Sequence, residues 1–167
     1  LKGLCEAQRL MGISAKAQNR EKEAYEWLYK GLETAQSIDY HQGIADNLNC
    51  IGIFFTYAED YDRAIDYYQR SVESQILAKN KLREGLLYTN IGSAYLKQNK
   101  TDSAKLFLDK SKVLLDSIGD GRWLAMIYSQ YGALAIQMND LILAESLSER
   151  ALELSLAHGQ TMHLRKS

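Results

Sequence analysis

The chain has 167 residues, 46% of them hydrophobic and 25% charged, with a formal net charge of −1. That is enough for one domain with a continuous core, without the basic excess of a nucleic-acid binder or the acidic excess of a solvating tail. No apolar run approaches the roughly 20 residues that insert across a membrane, and no charged stretch leading into an apolar one marks a signal peptide.

The predicted elements fall into four units of equal length. Gly12, Gly52, Gly92 and Gly132 recur every forty residues, each followed twelve residues later by Ala24, Ala64, Ala104 or Ala144. The period predicts repeats over 1–39, 40–79, 80–119 and 120–159, together one domain over 1–167. Residues 160–167 read as the start of a truncated fifth repeat, because Thr161 to Leu164 stands forty residues after Gly121 to Leu124. A chain opening on Leu1 instead of Met reads as a piece of a longer one.

Each unit should hold an antiparallel pair of helices, A and B, and the absence of Pro favours long ones. In the first unit A is expected over 4–18 and B over 21–36, parted at Asn19, a residue that tolerates the left-handed conformation ending a helix. The second unit reads as 42–58 and 61–78, with Asp60 placed to cap B, Phe55 filling the space between helices, and B closing near Asn80. Ala64, Ile65, Tyr68 and Val72 form one apolar stripe of its B helix. The third unit reads as 82–98 and 101–117, parted at Asn99, with Tyr95 as filler, Thr101 as cap and an end near Gly119. The fourth reads as 122–138 and 141–157, parted at Asn139, capped by Asp140 and closing near Gly159. A glycine inside a helix costs about 0.5–1 kcal/mol relative to Ala. Four of them in register imply backbones that approach closely enough to offset that cost.

The order Leu48, Ile51-Gly52, Phe55, Tyr61, Ala64, Tyr68 and Ser71 recurs as Tyr88, Ile91-Gly92, Tyr95, Ala104, Leu108 and Ser111. It resembles the tetratricopeptide repeat, although the period exceeds the usual value of about 34 and the closing Pro is missing. Long repeats of this kind resemble those of bacterial regulatory and sensor proteins and of some eukaryotic adaptor and motor subunits. The resemblance implies an all-α fold, a right-handed α-solenoid of stacked antiparallel helix pairs. Its concave face, lined by A helices, would hold a peptide or partner domain. The implied role is a protein-interaction or scaffold module, the regulatory part of a larger bacterial signalling protein. A structural spacer, an oligomerisation element and a small-peptide sensor are the alternatives.

The same resemblance places on that face the residues three and two before each Gly, one after it and five after it. Among them Arg9, Asn49, Tyr57, Asn90, Ser93, Lys97, Gln130 and Gln137 offer partner-binding chemistry, a polar, amide-rich groove with one aromatic. The cations are too few for the carboxylate clamp of the chaperone-binding members.

Catalysis is not expected. His158 and His163 lack companions for a metal, His41 stands alone, and no phosphate loop, nucleophile elbow or zinc spacing occurs. Nor is a cofactor expected, and Cys5 and Cys50 fit no metal site. As two free thiols they slightly favour a reducing cytoplasm. Neither end carries a polar cap, so self-association through exposed repeat ends, or packing of 160–167 as a partial cap, is expected.

Overall fold

The computed structural model describes residues 1–164, with side chains through Gly159. All regular structure among them is helical: α1 (Lys2–Ala17), α2 (Glu21–Ser37), α3 (His41–Tyr57), α4 (Tyr61–Leu77), α5 (Lys81–Lys97), α6 (Thr101–Ile118), α7 (Gly121–Gln137) and α8 (Leu141–Leu164). Consecutive helices pack as antiparallel pairs, giving about four repeats of the helical-hairpin kind that the resemblance implied. The chain divides into two compact units, Leu1–Arg83 and the part from Glu84 onward. In the first, α1 pairs with α2 and α3 with α4, and α3 also lies against α2 and α1. In the second, α5 pairs with α6 and α7 with α8, with α6 against α7.

One turn geometry closes most of these helices. Asn19, Asp39, Glu59, Lys79, Asn99 and Asn139 have φ between 49° and 60°, and Gly119 has φ 72°. They stand twenty residues apart. At the α3–α4 turn Asp60 N–H donates to Phe55 O (3.0 Å) and Glu59 N–H to Thr56 O (3.1 Å). This is the paired bonding of a Schellman motif, which satisfies carbonyls that a helix end leaves open.

The helices start from side-chain caps in several places. Asp60 accepts from Arg63 N (3.1 Å) and Asp140 from Leu143 N (3.0 Å), as expected, and Asp120 accepts from Arg122 N (2.9 Å). Two expectations fail locally, and a third shifts by one residue. Thr101 is the first residue of α6, and Lys100 before it makes no side-chain cap. Lys79, not Asn80, takes the left-handed position after α4, which frees Asn80 to cap the next helix through Arg83 N (3.1 Å). The stop at Gly159 is not used either, for α8 runs through it to Leu164. Residues 165–167 lie outside the described residues.

The glycine register is realised in packing. A Cβ built on Gly12 would lie 2.7 Å from Leu28 Cγ, one on Gly52 2.5 Å from the Tyr68 ring, and one on Gly92 2.7 Å from Leu108 Cδ2. In the fourth repeat the opposing residue is the small Ser148, and the gap widens to 3.3 Å. Phe55 fills the space beside this seam, its ring stacked on Tyr67 at 5.4 Å, and Tyr95 stacks on Phe107 at 5.5 Å.

A second register is polar. Ser71 Oγ donates to Ala45 O (2.7 Å) and Ser111 Oγ to Gly85 O (2.7 Å), the same bond one repeat apart. Both hydroxyls are fully buried, so each pins a B helix to its A helix at a fixed height. The first repeat has Gly31 at this position, and the buried Asn47 packs against it, donating to Gly43 O (2.9 Å).

Candidate functional site

In the first unit α1 and α3 stand side by side, so the residues that follow their mid-helix glycines face a common space. Ile13, Lys16 and Ala17 from α1 and Cys50, Ile53, Phe54 and Tyr57 from α3 line a groove of about 560 Å³. Leu28 closes its floor. The lining is apolar and open: Tyr57 is 73% exposed, Ile13 43% and Ile53 37%. Lys16 reaches across it, with Nζ 5.2 Å from the Phe54 ring centre and 5.6 Å from that of Tyr57. The same ammonium pairs with Glu21 at 2.8 Å.

The other end of this A-helix face is charged. Burial pushes the Cys50 thiol above its ordinary range, against the pull of the Arg9 guanidinium beside it. Asp46, only 15% exposed, pairs with Arg83 at 3.1 Å and accepts from Gln42 Nε2 at 2.9 Å. Arg9 and Arg83 thus meet Asp46 here, with Glu6 one turn before Arg9 on α1, so both signs of charge line this end.

Among the expected site residues, Arg9 and Tyr57 therefore belong to one face of the first unit, one at each end, with Asn49 half-buried on α3. In the second unit Asn90 and Ser93 are half-buried on α5, with Lys97 exposed at its end, and Gln130 is half-buried on α7. Gln137 uses its amide to hold α7 to α5, Nε2 donating to Leu96 O at 2.8 Å. Thr89, carried to this face by its distance from Gly92, lies in the core, 3% exposed and 2.7 Å from the Ser111 hydroxyl.

The groove is apolar where an amide-rich one was expected. In the first two repeats the positions one and five after glycine are Ile13, Ala17, Ile53 and Tyr57, and these side chains, with Phe54, make the walls. Sequence reasoning missed Phe54 and Lys16. The pair Phe54-Phe55 held the signal: successive residues of a helix point about 100° apart, so only one of the two rings can fill the A–B seam.

No group of His, Cys, Asp and Glu able to hold a metal occurs among the described residues. No helix among them is long and apolar enough to cross a membrane.

Comparison with known proteins agrees with this architecture. Residues 43–112 match the tetratricopeptide repeat family. The outer dynein arm-docking complex subunit 4 of Bos taurus is 27% identical over 124 residues, 74% of this chain. The chain spans 18% of that relative's length. The crystal structure of BtubC (BKLC) from P. vanneervenii superposes with a TM-score of 0.82 at 19% identity, over 93% of this chain and 65% of that one. Residues 43–112 are thus similar to the tetratricopeptide repeat, and the same helical hairpins continue on either side of them.

Proposed function

We propose that the first unit holds a partner protein through its A-helix face, with an apolar side chain of the partner seated between Ile13, Ile53, Phe54 and Tyr57. A carboxylate or carbonyl of the same segment would meet Arg9 at the charged end. The observation that carries this reading is the open apolar groove of about 560 Å³. Isoleucine and tyrosine surface left in water forgoes roughly 25 cal/mol per Å², which a covering side chain recovers. Tyr57 adds area at small entropic cost. Asn49 supplies a further polar contact in the first unit, and Asn90, Ser93, Lys97, Gln130 and Gln137 form a secondary polar set in the second.

The bovine relative is by name a subunit of a docking complex, which favours a scaffold role within a larger assembly. Neither relative's name speaks for the regulatory part of a bacterial signalling protein, the finer reading of the long period. A spacer with an empty groove is the alternative reading, and small-peptide sensing is another form of the groove reading.

Selection of displayed random peptides on the wild-type chain tests the proposal. Enriched peptides should share a bulky apolar residue, and Ile53→Asp should weaken them about 10- to 100-fold, the loss of one buried apolar contact of about 1.5–3 kcal/mol. Lys97→Ala should change their affinity less than threefold. Absence of enrichment, or enriched peptides indifferent to Ile53→Asp, would favour the spacer.

A further inference from the structure

The B helices carry a cation at the same place in every repeat: Lys30, Arg70, Lys110 and Arg150, forty residues apart. Around three of them the helix supplies its own acids. Lys30 stands between Glu26 and Glu33 in sequence, four before and three after. Arg70 stands between Asp66, 3.6 Å away, and Glu73. Arg150 pairs with Glu153 at 2.9 Å.

The third repeat breaks the pattern. Leu106 and Val113 occupy the two acid positions, 54% and 70% exposed. Lys110 between them rests over the Phe107 ring at 5.0 Å and the Tyr88 ring at 5.7 Å. The neighbouring carboxylates of α6 are engaged elsewhere, Asp109 by Lys105 (2.8 Å) and Asp116 by Lys112 (2.5 Å).

Residues at i, i+4 and i+7 share one helix face, so Leu106, Lys110 and Val113 form a single exposed strip about 10 Å long, apolar at both ends and cationic in the middle. We propose that this face of α6 docks an acidic amphipathic helix of a partner protein. Two apolar residues about two turns apart cover Leu106 and Val113, and an Asp or Glu between them meets Lys110. The charge decides the occupant. An ammonium covered by an apolar surface loses its hydration without compensation, whereas a carboxylate supplies the missing partner. A second copy of this chain fits badly, because two-fold pairing of the strip sets Lys110 against Lys110. This surface lies on a B helix of the second unit and is independent of the groove proposed above.

The probe is a synthetic helical peptide of about 20 residues with Leu, Glu and Leu at i, i+3 and i+7, beside a twin carrying Lys for Glu. Fluorescence anisotropy should show the Glu peptide binding at least tenfold more tightly than the Lys twin. The double variant Leu106→Glu/Val113→Glu gives the acid–cation–acid arrangement of the first two repeats, so it should fold normally and lose the Glu peptide by tenfold or more. Lys110→Glu should reverse the preference between the peptides, and Ile53→Asp should leave it intact. Equal binding of the two peptides, no binding of either, or unchanged affinity in the double variant would overturn the proposal. So would a wild-type dimer in sedimentation that the double variant abolishes.

Discussion

A single methyl group at Gly52 tests the glycine register that organises the whole chain. The new Cβ would lie 2.5 Å from the Tyr68 ring, against about 3.5–4.0 Å for an ordinary carbon contact, so the ring must retreat by about 1 Å. It has little room, being 2% exposed with its hydroxyl 2.9 Å from Thr56 Oγ1. Overpacking costs about 1–3 kcal/mol, and loss of the Thr56 bond about 0.5–1.5 more. The gain in helix propensity offsets about 0.5–1 of this. Gly52→Ala should therefore destabilise by about 1–3 kcal/mol, a fall of roughly 3–10 °C in the thermal midpoint of a chain this size. Gly132→Ala faces only the Ser148 hydroxyl at 3.3 Å and should stay within about 0.5 kcal/mol of wild type or gain slightly. Combining Gly52→Ala with Tyr68→Ala in a double-mutant cycle should recover about 1–2 kcal/mol as coupling. An independent readout is the tyrosinate absorbance. Burial pushes the Tyr68 phenol up to about 12, and displacing the ring should bring its titration back toward the ordinary value near 10. Equal midpoint shifts for the two alanine variants, or a coupling near zero, would refute the reasoning.

Lys79 holds φ at 56° without being glycine, so Lys79→Gly should raise stability by about 0.5–1 kcal/mol in chemical unfolding; a loss would contradict the left-handed turn. Hydrogen bonds from Arg63 hold the Asp60 carboxyl below its usual range, and Arg122 does the same for Asp120. Because both folded values lie below the unfolded ones, their contribution is present above about pH 4 and lost as pH falls through the folded values. Asp60→Asn/Asp120→Asn keeps both caps but removes the charges, so its thermal midpoint should fall less than that of the wild type between about pH 4 and pH 2. Parallel curves would exclude this linkage.

The pairing of helices was legible because it depends on residue size at fixed spacing. Gly12, Gly52 and Gly92 meet Leu28, Tyr68 and Leu108, each sixteen residues later, and no other part of the chain is needed to see that. Turn positions were partly legible. Asn19, Asn99 and Asn139 announce the left-handed conformation, but Asp39, Glu59 and Lys79 adopt it as well, in turns closed by the same backbone bonds. Gly159 shows the converse: glycine permits a stop at the next position of the twenty-residue series without enforcing one. The groove was less legible, since a helix periodicity says which residues leave the core but not how they turn once outside it. Phe54 lies inside the groove through the pairing of α1 with α3, and Gln137 spends its amide on a carbonyl of α5. Both depend on a neighbouring repeat that local pattern does not contain.

The length of the repeat can now be understood as twice twenty. Most helices here have 17 residues, followed by a three-residue turn centred on a left-handed residue. The common tetratricopeptide period of about 34 gives roughly 17 per half, so this chain has gained about three residues in each helix. Three residues are close to the 3.6 of one helical turn, and lengthening by nearly a turn leaves the same face of each helix turned toward its partner. That is why the glycine and alanine contacts survive a changed period with no intervening irregularity. It also explains how the chain manages without the closing Pro: the Schellman bonds at Tyr40 and Asn80 end the B helices by satisfying the carbonyls of Ala35 and Gln75. The added turn makes each A helix about 25 Å long. One face of the α1–α3 pair then has room for the apolar groove at Tyr57 and the charged end at Arg9, so a single bound segment can be read by both.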